Sequence, residues 1–193
     1  VTTAAAAGEA LRAADVIVLA VKPQSMREVA AQLLPFLGGG KAPLVLSIAA
    51  GIRAVDLSRW LGDYPAIVRA MPNTPALIGM GTTGKVASSG VSAEQQAQAD
   101  AILGAVGKTV WLADEAQIDP VTAVSGSGPA YVFYFIEAMQ QAARELGLTD
   151  EQGTQLAIAT FTGAAQLAAN SSEPVSVLRE RVTTDIATGG GQY

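Results

Sequence analysis

Thr122-Ala-Val-Ser-Gly-Ser-Gly-Pro129 is the stretch whose residue types most suggest a binding surface. Glycines at 126 and 128 let the backbone approach a bound molecule closely, and Ser125 and Ser127 add hydroxyls. With Ser127 as a helix N-cap, free amides and the helix dipole would favour an anion or a carbonyl oxygen. The same pattern also serves as a plain cap with glycines for tight packing, and residue types alone do not separate the two. Three more segments carry polar or small residues just after strand-like runs: Val21-Lys-Pro-Gln24, Ser47-Ile-Ala-Ala-Gly51 and Met71-Pro-Asn-Thr-Pro75. Lys22 offers a charge for a phosphate, or is simply solvated. Ala49 and Ala50 leave room for a flat ring, or for a packed helix. Asn73 and Thr74, between two prolines, offer polar groups to a ligand or satisfy turn amides. Asp114, Glu115, Asp119 and Glu137 are not paired at metal-ligand spacing and read as solvated or capping charges.

Two absences narrow the chemistry. The chain has no Cys, which excludes disulfides, thiolate nucleophiles and Cys-based zinc sites, and no metal site is expected. It has no His, which removes the commonest general base and every Ser-His triad. Catalysis must use Lys, carboxylates, hydroxyls, backbone amides or a cofactor, and a cofactor is the leading expectation. A formal charge of −5 argues against binding a nucleic-acid backbone. No apolar run approaches the roughly 18–20 residues that span a bilayer. No basic segment precedes an apolar one near the first residue, so the chain is expected to be soluble and cytoplasmic.

The elements that must position these residues alternate in type. Residues 15–21 form a continuous β-branched run, expected as a strand buried on both faces. Ser25 with Glu28 reads as a capping box opening a helix that runs to 36 and stops at Gly38-Gly-Gly40. Further strands are expected at 44–48, 66–70, 82–87 and 109–112, with helices at 55–61 and 92–106 between them. Strand and helix in this alternation imply an α/β layer with a mostly parallel sheet over residues 1–115. Residues 116–193 read as all-helical, with helices at 129–146, 149–170 and 175–182. Tyr131, Val132, Phe133, Tyr134, Phe135, Ile136 and Met139 cover nearly every face of the first of these. A helix apolar all round must be buried all round, and so few residues cannot bury it alone, so a subunit interface is expected there.

Taken in order, these segments resemble the pyrroline-5-carboxylate reductase family. The resemblance is carried by Ala14-Asp-Val-Ile-Val-Leu-Ala-Val-Lys-Pro-Gln24, Leu46-Ser-Ile-Ala-Ala-Gly-Ile52, Arg69-Ala-Met-Pro-Asn-Thr-Pro75, the stretch from Val121 to Phe133, and Leu178-Arg-Glu-Arg-Val-Thr183. It implies a Rossmann-like sheet, incomplete at its N-terminal edge, followed by a helical dimerisation domain. It implies a reductase moving hydride from NADPH or NADH to the C=N carbon of 1-pyrroline-5-carboxylate, giving proline, and working as a homodimer or higher homo-oligomer. By the same resemblance Ala20, Val21, Lys22 and Pro23 would contact the cofactor, and Ala49 and Ala50 would lie near the nicotinamide. Thr122 would hydrogen-bond at the imine nitrogen, Ser125, Gly126, Ser127 and Gly128 would shape the pocket floor, and Thr183 and Thr184 would stand near the substrate carboxylate.

The pattern also departs from the family. The family's G-x-G-x-x-G unit and last helices are expected to fall outside these residues, so that the chain reads as a core of the fold. Ala7 stands where the family has a cofactor-contacting Asn, and Asp185 follows Thr184 where the family has a Ser-Pro-Gly-Gly-Thr-Thr loop. Two other readings stand beside the reductase: a non-catalytic member acting only through its helical interface, and another imine or 3-hydroxyacid reductase. The second would place a catalytic Lys on the helix from Pro129, which has none.

Overall fold

Aliphatic residues alternate between two faces along the first three strands, and each face is covered by its own helices. The structure is a computed structural model describing residues 2–38 and 42–187, the side chains of 184–187 lying outside the described residues. β1 (Val16–Leu19), β2 (Leu44–Ser47) and β3 (Ile67–Met71) are parallel and adjacent, Ile17 opposite Val45 and Val45 opposite Ile67. The crossovers are α1 (Met26–Leu33) and α2 (Ala54–Trp60). Their Met26, Ala30, Leu33 and Leu57 form one core with Ile17, Leu19, Val45 and Ile67. On the opposite face Leu44, Leu46, Val68 and Ala70 pack against Ala99 and Leu103 of α3 (Ala93–Gly104). β4 (Gly81–Ala87) runs antiparallel to β3, and β5 (Gly107–Trp111) parallel to β4. All five expected strands are present, and three of the four pairings are parallel.

Three local expectations are corrected. β1 is not buried on both faces: it is an edge strand, and Val18 is 45% exposed on a face that no described helix covers at that point. The capping box at Ser25 does not form, because a 3-10 turn at Pro23–Ser25 runs straight into α1 and leaves Ser25 in helical rather than extended backbone. α1 ends before the glycines, giving way at Leu34–Phe36 to a 3-10 turn where Pro35 has no N–H to continue the ladder. Gly39 and Gly40, expected to stop it, lie outside the described residues. The capping boxes at Ser92–Gln95 and Thr149–Gln152 do form.

The chain divides into two compact units, Val1–Pro129 and Ala130–Tyr193. The first extends past the expected division at 115/116 because α4 (Ile118–Val121) is packed onto the sheet. Ile118 is buried, and Gly84 makes room for Val121, whose Cγ1 would lie 2.8 Å from any Cβ there. In the second unit α5 (Gly128–Glu145), α6 (Asp150–Asn170) and α7 (Val175–Ala187) follow one another. α5 and α6 meet through Phe135 and Phe161, with ring centroids 6.3 Å apart, and through Gln140 donating to Thr154 Oγ1 at 3.0 Å. Among the described residues nothing covers α5 all round: Tyr131, Phe133, Tyr134 and Phe135 are all exposed.

Lys85, in the middle of β4, is fully buried. Its ammonium donates to Asp100 of α3 and lies 4.7 Å from the centroid of the Trp111 ring, while the Trp111 indole N–H donates to Asp100 Oδ2 at 3.1 Å. The Lys85 hydrogen bond, assisted by the indole, holds the Asp100 carboxyl below the usual carboxylate range, although partial burial works the other way. A carboxylate depressed in this way stabilises the fold above its unfolded pKa, about 3.9, and that contribution disappears as pH falls through the folded value. Urea unfolding should therefore show Asp100→Asn well below wild type at neutral pH, with the gap closing below about pH 4. A gap independent of pH would mean that the carboxylate charge contributes nothing.

Candidate functional site

The parallel register that places Leu19 opposite Ser47 brings the carboxyl ends of β1 and β2 side by side. Residues 20–23 and 48–51 therefore leave the sheet at one edge, where open α/β sheets bind their ligands. Ala20, Lys22 and Ala50 are exposed there, and Val21 and Pro23 half-buried. Ala49 is not open to a ligand: it is 5% exposed and belongs to the core under α1 and α2. Gly51 turns the chain into α2 with φ +76°, a left-handed conformation that side chains disfavour. Ala7, near the chain start, packs against the same core.

β3 carries Arg69, only 5% exposed. A buried guanidinium requires a partner, and Glu115 supplies it: Oε1 accepts from Arg69 Nη1 at 2.8 Å and from the Ala54 amide in the first turn of α2 at 2.7 Å. Glu115 is thus not a solvated charge but an ion-pair partner that also satisfies a first-turn amide of α2, while Asp114 caps locally, accepting from the Ala116 amide at 2.7 Å. Together with Gly51, Arg53 and Asp119 these residues line an open cleft of about 500 Å³.

From Ile118 the chain is helical through α4 and directly into α5, and between them residues Thr122–Gly126 form a π turn. The Ser127 amide reaches back to the Thr122 carbonyl at 2.8 Å. This differs from the expected N-cap: Ser127 has helical rather than extended backbone, and its own amide is already bonded within the π turn. π turns of this kind recur at functional sites. The Thr122 hydroxyl donates to the Ile118 carbonyl at 2.8 Å. A hydroxyl has one proton, so toward a ligand Thr122 offers only lone pairs. Asn73 crosses to the same turn, with Nδ2 donating to Ser125 O at 3.2 Å and Ser125 Oγ at 3.3 Å, and its Oδ1 accepting from the Thr82 amide at 2.8 Å. A Cβ at Gly126 would lie 2.9 Å from Met71 Cε, the flexible end of that side chain, whereas Gly128 has open space.

In the second unit Thr183 is exposed on α7, and its hydroxyl donates to the Arg179 and Glu180 carbonyls within that helix at 3.2 and 3.0 Å. The Thr184 side chain lies outside the described residues. Sequence reasoning missed the partners of Glu115 and Lys85 and left Asn73 open between a ligand contact and a turn residue. The signal for Glu115 was Arg69 inside a strand-like apolar run, a cation that demands an acidic partner elsewhere, whereas Lys85 lies in the more polar run at 82–87 and gave no such signal.

A mostly parallel sheet with helices on both faces and small and cationic residues at its strand ends, followed by a helical unit, is the architecture of the two-domain dinucleotide-binding proteins. The model of pyrroline-5-carboxylate reductase dimerisation matches residues 115–190, and a model described as NADP oxidoreductase, coenzyme F420-dependent, matches residues 1–51. A pyrroline-5-carboxylate reductase of Pseudomonas aeruginosa is 50% identical over 93% of this chain and 65% of its own. The solved structure of the Coxiella burnetii enzyme superposes with a TM-score of 0.83 at 43% identity, over 92% of this chain and 64% of that one. The Plasmodium falciparum enzyme, solved with NADP bound, gives 0.78 at 31% identity, over 89% and 67%. The chain belongs to the pyrroline-5-carboxylate reductase family. It spans about 65% of the length of the curated relatives it matches.

Glu115→Ala strands a buried guanidinium and an α2 amide and should cost about 2–3 kcal/mol in urea unfolding. Adding Arg69→Met should recover part of that loss, because the uncompensated charge goes with it. A double variant no more stable than Glu115→Ala would mean that the Arg69 charge is satisfied in some other way.

Proposed function

We propose that this chain acts as a pyrroline-5-carboxylate reductase, reducing the C=N bond of 1-pyrroline-5-carboxylate to L-proline with NADPH, or NADH, as hydride donor. Thr122 is the observation that carries the reading. With its own proton committed to Ile118, its hydroxyl is an acceptor, which suits the N–H of a protonated imine, the more electrophilic form. Hydride added to that form gives the neutral amine directly, so the reaction balances without a protein acid, in keeping with a chain that has neither His nor Cys.

The strand-end residues fit a dinucleotide in this reading. Lys22 supplies a cation, and Ala20, Val21, Pro23 and Ala50 a low rim, with Ala49 beneath it in the core. The cofactor supplies hydride when bound, while the protein holds the imine carbon in line and excludes water. Ser125, Gly126, Ser127 and Gly128 form the pocket floor, and Thr183 and Thr184 are assigned to the substrate carboxylate by the family resemblance. The cytoplasm is the compartment this reading assigns.

NADPH oxidation on adding 1-pyrroline-5-carboxylate tests the proposal directly, and a folded chain without turnover would overturn it. Given turnover, Thr122→Ala should lower kcat roughly 5- to 150-fold, the effect of about 1–3 kcal/mol of lost hydrogen bonding, while Thr122→Ser keeps most of the rate. A Thr122→Ala variant with wild-type kcat would remove Thr122 from the mechanism.

The second unit is the proposed seat of homo-oligomerisation. Its support is the aromatic surface of Tyr131, Phe133, Tyr134 and Phe135, left exposed by the chain's own packing, and the dimerisation model that spans this region. Sedimentation at micromolar concentration should give a dimer or larger assembly, with Phe133→Glu shifting it to monomer. A wild-type monomer would rule the interface out.

A further inference from the structure

Pro129 withdraws a donor that the helix would otherwise supply. In an α-helix each amide bonds the carbonyl four residues earlier, so the partner of Ser125 O would be the amide of residue 129, and proline has none. The gap falls where the helix has already widened into a π turn, one turn after Thr122. Asn73 fills it from the loop between β3 and β4, its Nδ2 lying within reach of both the carbonyl and the hydroxyl of Ser125. The amide is oriented from its other end, because Oδ1 takes the Thr82 N–H at the start of β4, so the NH2 group must face Ser125. Ser125 Oγ completes the ring by donating to Thr82 O at 3.4 Å. Loop, strand and π turn are thereby tied at one side chain, and a local helix cap would not need a residue so distant in sequence.

We propose that Asn73 is a positioning residue: it stands in for the amide that Pro129 lacks and so holds the π turn that aims the Thr122 hydroxyl at the substrate nitrogen. The functional half of this rests on the reductase reading; the structural half does not. Aspartate at 73 separates the roles well. It is nearly isosteric and keeps the acceptor for the Thr82 amide, but it turns lone pairs instead of donors toward the Ser125 carbonyl.

The test uses the full chain, with Asn73→Asp, Asn73→Ala and the double variant Asn73→Asp/Pro129→Ala. Two quantities are read: kcat and NADPH KM with 1-pyrroline-5-carboxylate, and hydrogen exchange of the Ser127 amide. The expected result is a kcat lower by up to about 100-fold, as for a misplaced catalytic group, with NADPH KM unchanged because residues 20–23 and 50 are untouched. Ser127 protection should fall in both single variants, and Pro129→Ala should restore part of both quantities by giving Ser125 O a backbone donor. Wild-type kcat and protection in the single variants would overturn the proposal, as would a double variant no better than Asn73→Asp. If Asn73→Asp does not fold, Asn73→Ala is read in the same way. Should the wild type not turn over, the reductase reading fails on its own account. The exchange data then decide the clasp: lost protection with rescue by Pro129→Ala supports it, and unchanged protection overturns it.

Discussion

A guanidinium inside a parallel sheet is costly unless an anion meets it with good geometry, and in β3 Arg69 imposes that demand on everything that follows the sheet. Glu115 answers it from the segment that leaves β5, and its second bond, to the Ala54 amide, places the carboxylate on the positive end of α2. One carboxylate therefore joins β3, the start of α2 and the segment leading into α4. Once that segment is pinned, Ile118 is buried and Val121 fills the space at Gly84, so the stretch bearing Thr122 has little freedom over β3 and β4.

Lys85 presents the same problem on the neighbouring strand. Arg69 lies opposite Val86 and Ala70 opposite Lys85, so the two cations are one position out of step and point to opposite faces of the sheet. The partners confirm the geometry: Glu115 binds on the face covered by α2, Asp100 comes from α3 on the other. Each cation ties a different layer to the same pair of strands. Replacing either pair with well-packed aliphatic residues can preserve stability, but it would lose the directional link that sets where the next segment goes.

The sheet and the three long helices of the second unit were legible because their signals are periodic and local. Short, largely aliphatic runs mark β1 to β3, and Ser92 and Thr149 open helices with glutamine three residues on, as the capping boxes require. Features set by distant partners were not legible. Ser25 and Ser127 look like caps by type, yet each lies in backbone already committed to helix by its neighbours. Glu115 read as a solvated or capping charge because its ion-pair partner is 46 residues away, and Asn73 stayed open between ligand contact and turn residue because its partners are at 82 and 125. In β1 the run of valines announced a strand but not which of its faces would be covered. The family resemblance supplied candidate positions that residue types had left open, such as Thr122. It did not supply the commitment of the Thr122 hydroxyl proton to the Ile118 carbonyl, which is the feature the proposed role rests on.

Under the reductase reading, the absence of His and Cys and the hydrogen bonds that tie Asn73 to the π turn belong to one account. Hydride transfer to a protonated imine leaves no proton for the protein to deliver, so pKa tuning has little to contribute at the reacting atoms. What remains for the protein to control is geometry: the angle and distance at which an electrophilic carbon meets its donor, where small displacements carry large penalties. The chain places its charged pairs where they brace the scaffold, at Arg69–Glu115 and Lys85–Asp100, and keeps neutral hydrogen-bonding groups at the turn. A cationic substrate nitrogen then meets an oriented lone pair rather than a carboxylate, whose stronger attraction would stabilise the protonated ground state as well as the transition state and so add little to kcat.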